Sequence, residues 1–172
     1  MSTYQADYAV EASILSNPCY RRFRDLPVCE KLKEDELIHL FSAMSSQTVS
    51  AGTTIYEAGT LSNQTIHLVV QGRVSLSKAG SNIYAQLGAG EQFGLFSFLD
   101  EQRKHAVSVK AVTDLELLTI DRIYFDLITL EEPELGNQML RFMFHLLSDK
   151  ALKHKHEYAA MHEFVTGVNT DA

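Results

Sequence analysis

The chain has 172 residues, a net charge of −7, 45% apolar residues and 22% charged ones, the make-up of a globular domain with a real core. An acidic surface argues against nucleic-acid binding, which needs clustered basic side chains to neutralise phosphates. No apolar run approaches the roughly 18 residues a membrane span requires.

The N-terminus, MSTYQADYAVEASILS, lacks the basic and apolar regions of a secretion signal. Two cysteines, Cys19 and Cys29, form neither a disulfide framework nor a metal-ligand spacing. Together these features point to a reducing cytoplasm, with both thiols buried or incidental.

Residues 1–46 read as helical, with residues 1–16 either a helix or a loose arm. Asn17-Pro18 breaks whatever precedes it. In KEDELIHLFSAM, the residues Leu37, Leu40, Phe41 and Met44 fall at i, i+3, i+4 and i+7, an amphipathic stripe.

Residues 47–120 change character. Short β-branched runs are separated by glycines at 52, 59, 72, 80, 88, 90 and 94. TIHLVV places Ile66, Leu68 and Val70 on one face, RVSLS places Val74 and Leu76, and AVSVKAV aligns Val107, Val109 and Ala111. DLELLTI closes the series. Period-two patterning between closely spaced turns predicts an antiparallel sandwich or roll.

From 121 the helical period returns. Asp121 is placed to cap RIYFDLITL, where Ile123, Leu127 and Leu130 share a face. Pro133 can open a second, long helix ending near Gly167. Its main stripe is Leu135, Met139, Phe142 and Leu146, with Leu140, Met143 and Leu147 alongside. A band this wide either packs wholly on its own domain or pairs in part with a second copy of the chain. The expected fold class is therefore α+β: an antiparallel β-roll or jelly roll, preceded by helices and followed by two more, the last one long.

This order of elements resembles the cyclic nucleotide-binding domain of catabolite-activator-type regulators, kinase regulatory subunits and gated channels, over roughly residues 27–150. AGTTIYEAGTLSNQTIHLVVQGRVSL is similar to the family's opening strands. LGAGEQFG is similar to its L-x-x-G-x-x-F-G motif through Leu87, Gly90, Phe93 and Gly94. The resemblance implies an N-terminal extension at 1–26, a ligand-binding-type domain at 27–152 and a helix extension with tail at 153–172.

The resemblance also implies a site. In the family, a Glu after the motif's last Gly accepts from the ribose 2′-hydroxyl, and an Arg further on pairs with the cyclic phosphate, in a turn whose free N–H groups suit an anion. Carried over without a gap, those positions hold Leu95 and His105. Ala106 stands where a small residue follows the Arg. Phe93, Gly94, Ser97 and the strand through Val107 and Val109 keep the scaffold, and Phe96 adds to an unusually apolar cassette.

Leucine accepts no hydrogen bond, and a mostly neutral imidazole replaces a permanent bidentate cation. Losing both contacts costs about 3–8 kcal/mol, roughly two to six decades of affinity. Cyclic AMP binding of the family's kind is therefore not expected, and the apolar side chains are expected to fill the cavity. The alternative is a cavity for a flatter, less polar ligand.

Arg103 provides another route to an anion. It lies two positions before His105, on the same side of an extended segment. EQRKH is either a solvated charged loop or, with DEQRKH displaced by two residues, a segment in which Arg103, with Lys104 nearby and His105, can hold a cyclic nucleotide or another small anion. The candidate ligand residues are thus Phe93, Gly94, Leu95, Phe96, Ser97, Arg103, His105, Ala106 and Val107.

No catalytic or metal site is expected. His67 stands alone in its strand without a His-x-His pair, and the pair at 154 and 156 lies in a helix, where i and i+2 diverge. No nucleophile motif or placed acid–base pair stands out. The 20 residues after Leu152 are too few for the helix-turn-helix of family transcription factors. The expectation is a cytoplasmic, non-enzymatic regulatory or adaptor protein acting through a protein partner or a homodimer of the long helix, without a nucleic-acid or membrane partner. The alternative is a working sensor of a cyclic nucleotide or small anion.

Overall fold

Asn17 and Pro18 end one helix by starting the next. In a computed structural model describing residues 3–78, 83–100 and 102–166, helix α1 (Thr3–Ser16) stops at Asn17, whose side chain caps the Cys19 N–H of α2 (Pro18–Arg24) at 2.8 Å. Proline suits that first helical position because its missing N–H has no intrahelical acceptor to satisfy. A 3-10 turn at Pro27–Cys29 leads into α3 (Glu34–Ser42). Gly80, Glu101 and Gly167 lie outside the described residues.

Eight strands follow: β1 (Ser45–Val49), β2 (Thr54–Tyr56), β3 (Thr65–Gln71), β4 (Val74–Ser77), β5 (Ile83–Leu87), β6 (Gln92–Phe93), β7 (Ser108–Ala111) and β8 (Leu115–Asp121). The short helix α4 (Leu95–Leu99) interrupts them after β6. They form two four-stranded sheets, ordered β1-β8-β3-β6 and β2-β7-β4-β5, with antiparallel pairing throughout. This is the roll expected from period-two patterning.

Its inner layer is tighter than that patterning suggests. Strand β3 is buried on both faces. Ile66, Leu68 and Val70 join the helices in one core, while Val69 joins Val74, Leu87, Phe93, Val109, Ala111, Leu115 and Leu117 between the sheets. Alternate residues of β8 divide in the same way, Leu118 and Ile120 toward the helices and Leu115 and Leu117 toward the roll.

Helices α5 (Arg122–Glu131) and α6 (Pro133–Thr166) complete the chain. Asp121 occupies the cap position of α5 but does not cap it with its side chain; its carboxylate accepts from Thr65 Oγ1 at 3.0 Å. On α6, Met139, Phe142, Met143 and Leu146 are buried against Phe23, Phe41 and the β3–β8 face, so the main stripe packs on its own domain. Gly136 lets α6 approach α5 closely, since a Cβ there would meet Thr129 Cα at 2.8 Å. Both thiols are buried, Cys29 with its pKa pushed up to about 12 by desolvation, as inert cysteines are. Among the described residues no helix is long and apolar enough to cross a membrane.

Candidate functional site

Gly94 turns the chain from β6 into α4 with φ +90°, a conformation L side chains avoid. A Cβ at this position would also collide with the Thr65 carbonyl oxygen of β3. Glycine is therefore required twice over, by its own dihedral and by the strand beside it. The turn opens on a cavity of about 500 Å³ between the roll, α4, the segment 103–107 and one face of α6.

All nine candidate residues line this cavity. Phe93, Gly94, Leu95, Phe96 and Ser97 come from one edge; Arg103, His105, Ala106 and Val107 come from the other. The apolar cassette does not fill the space, which corrects that expectation. The reason lies in where its side chains go. Phe98 turns inward to an edge-on contact with Phe125, ring centroids 5.6 Å apart, and Leu95 packs partly against the helix-side core. Phe96 points outward and is 70% exposed.

His105 is buried. Its ring stacks on Tyr56 at 3.7 Å and 10°, and Nδ1 lies 3.2 Å from the Ser97 hydroxyl. Burial pushes its pKa below the ordinary histidine value, so it stays neutral at pH 7. Behind it, His67 stacks on Phe93 at 4.6 Å and 3°, with no hydrogen-bond partner for Nδ1. Burial pushes its pKa down to about 4.

The segment holding Arg103 and His105 is not a loose loop. Its backbone runs against residues 59–62: Gly59 N–H donates to His105 O at 2.8 Å, His105 N–H to Thr60 O at 2.9 Å, and Ser62 N–H to Arg103 O at 3.1 Å. Arg103 itself is exposed at the cavity mouth, its guanidinium carbon 5.6 Å from the Phe96 ring centroid.

Sequence reasoning missed part of the lining. Tyr56, Leu76 and Gln92 complete the walls, Lys104 lies beside Arg103 as its place in the sequence suggests, and α6 contributes Leu147, Lys150 and Ala151. The last three share a helix face by their i, i+3, i+4 spacing, but nothing local says that this face roofs a cavity. Among the described residues no cluster of three or more His, Cys, Asp or Glu side chains could hold a metal.

The comparisons with known proteins fall on the same architecture. The family model described as the cyclic nucleotide-binding domain matches residues 46–130. That segment belongs to the cyclic nucleotide-binding domain family. The family is generally regulatory rather than catalytic.

A cyclic nucleotide-gated potassium channel of Rhizobium etli is 28% identical over 111 residues, covering 64% of this chain and 30% of the channel. A lysophospholipase of Aspergillus terreus is 28% identical over 130 residues, covering 73% of this chain and 8% of that protein. The chain thus spans under a third of the length of either relative.

Among solved structures, a cyclic nucleotide-binding domain from Methylobacillus flagellatus superposes with a TM-score of 0.66 at 17% identity, covering 88% of this chain and 85% of that one. The catabolite activator protein of Thermus thermophilus gives 0.56 at 26% identity, covering 77% and 63%. The first of these likenesses speaks to the fold alone. In a cyclic nucleotide-binding domain, then, the positions that the resemblance assigns to the ribose and phosphate contacts carry Leu95 and His105.

Proposed function

We propose that this protein is a non-enzymatic regulatory or adaptor module whose nucleotide site is altered, and whose output passes through protein–protein contact. One observation carries the reading. At the phosphate-pairing position, the His105 ring is packed on Tyr56, adjoins Ser97 and is kept neutral by burial, so it offers no cation to a cyclic phosphate. Leu95, at the ribose-contact position, presents hydrocarbon to a hydroxyl that would need an acceptor.

The test is calorimetric titration with cyclic AMP and cyclic GMP at pH 6 and pH 8. The expected result is no binding tighter than millimolar at either pH. Micromolar affinity for either nucleotide overturns the reading.

A second reading, a working sensor of a cyclic nucleotide or other small anion, draws support from Arg103. It stands at the cavity mouth, and no ion pair joins it to another described side chain. On that reading, a cyclic nucleotide stabilises the protein and Arg103→Ala abolishes the effect.

Contact with a protein is supported by apolar side chains left outside. On α6, Leu140 and Phe144 are exposed, and with Leu147 and Ala151 they follow the alternating spacing of four and three that pairs helices. A second copy of the chain is the partner that spacing fits.

A further inference from the structure

The cavity has a chemical direction. Its walls are hydrocarbon and aromatic surface, chiefly Leu76, Phe93, Val107 and Leu147, with part of Leu95 on the inner side and the outward-pointing Phe96 at the mouth. The polar side chains within are Tyr56, Gln92, Ser97 and His105; Ser97 and His105 adjoin each other, and Tyr56 covers the imidazole face. The cationic side chains at its edge are Arg103, Lys104 and Lys150, and the described lining contains no carboxylate to balance them. Among the described residues no ion pair occupies any of the three. At about 500 Å³ the space falls within the usual range for a single small ligand.

An apolar wall favours an apolar body, and rim cations that no described carboxylate pairs favour one anionic end. Aromatic side chains at Tyr56 and Phe93, each already stacked on a histidine, leave ring surface that suits a flat ring system by stacking or edge contacts, and Phe96 stands at the mouth. A ribose would find no carboxylate acceptor among the described lining residues.

We propose that the cavity binds a small amphipathic anion, an aromatic body bearing one carboxylate, with the ring inside and the carboxylate at the mouth on Arg103 and Lys150. This rests on the reading of an altered nucleotide site and names the ligand class that the alteration selects. Lys150 belongs to α6 and Arg103 to the segment beside β7, so the carboxylate bridges two elements far apart in the chain.

Calorimetric titration of the whole chain with naphthalene-2-carboxylate, naphthalene-2-carboxamide and cyclic AMP tests this. The carboxylate is expected to bind at one site, at least about tenfold more tightly than the isosteric amide, as a charge-assisted contact would require. The double variant Arg103→Gln, Lys150→Gln should erase that difference and leave amide affinity unchanged. Ala106→Trp, at an exposed cavity position, should abolish binding of both naphthalene probes without moving the unfolding midpoint.

If that variant fails to fold, amide chemical shifts decide the location. Carboxylate-induced changes at Gly94–Ser97 and His105–Val107 support the proposal; changes confined to other residues overturn it. Equal affinity for carboxylate and amide, no binding of either, or binding that survives in a folded Ala106→Trp protein also overturns it. Micromolar cyclic AMP binding would instead overturn the altered-site reading, so the two failures are separable.

Discussion

His67 sits on a strand buried on both faces, and that burial makes it a proton-linked weak point. Desolvation is the main reason its pKa falls to about 4, with the neighbouring His105 adding to the effect and the Thr65 backbone and Asp121 partly opposing it. In the unfolded chain a histidine titrates near 6.5. Between pH 6.5 and 4 the unfolded state therefore holds a proton that the folded state excludes, so stability falls as pH drops through that window. The shift corresponds to about 3 kcal/mol. Urea denaturation at pH 7 and pH 4.5 should show the loss, and His67→Leu should flatten it. An unchanged pH slope in His67→Leu would place the acid sensitivity elsewhere. The sequence shows His67 as a lone histidine on the strand face opposite Ile66, Leu68 and Val70, and only the second sheet packed on that face buries it. Its stacking on Phe93 depends on β6 pairing beside β3, 24 residues or more along the chain.

At the scale of elements, α5 is the instructive case. Its apolar residues Ile123, Leu127 and Leu130 do share a face, but that face is 77%, 45% and 80% exposed and looks away from the core. Phe125 is buried instead, beside Phe98, and Thr129 lies against Gly136 of α6. Periodicity tells which side chains align; it does not tell which way the helix is rolled, because its contacts with α4 and α6 set that. Substitutions on the two helices should separate accordingly. Leu130→Ser is expected to change unfolding free energy by less than about 0.5 kcal/mol, whereas Phe142→Ala on α6 should cost about 3–5 kcal/mol. Chemical denaturation of both variants checks this, and a large loss in Leu130→Ser would mean that its face is covered in solution. The stripe at Leu135, Met139, Phe142 and Leu146 was legible in advance because it is continuous over three turns and ends in a real core.

For the whole molecule, α6 does two things at once. Its buried stripe closes the helix-side core, while Leu147, Lys150 and Ala151 close the cavity from the other flank. Leu140 and Phe144 continue that flank into solvent. Sedimentation equilibrium is expected to show a dimer that dissociates on dilution, and Phe144→Glu should weaken it at least about tenfold by burying a charge in an apolar seam. A chain that is monomeric at every concentration would remove the homodimer and leave a different protein as the partner.

The sequence alone determined the order of elements and the class of the roll, because alternation, turn glycines and proline starts act over a few residues. It also places Leu95 and His105 where the family resemblance puts the ribose and phosphate contacts, since that carry-over uses only residue identity and the distance from Gly94. Whether the cavity stays open was decided only in three dimensions. Phe98 could have turned into it as readily as into the core, and His105 could have reached for an anion instead of lying on Tyr56. Those outcomes depend on contacts between residues tens of positions apart, where packing against distant neighbours, not local preference, selects the rotamer.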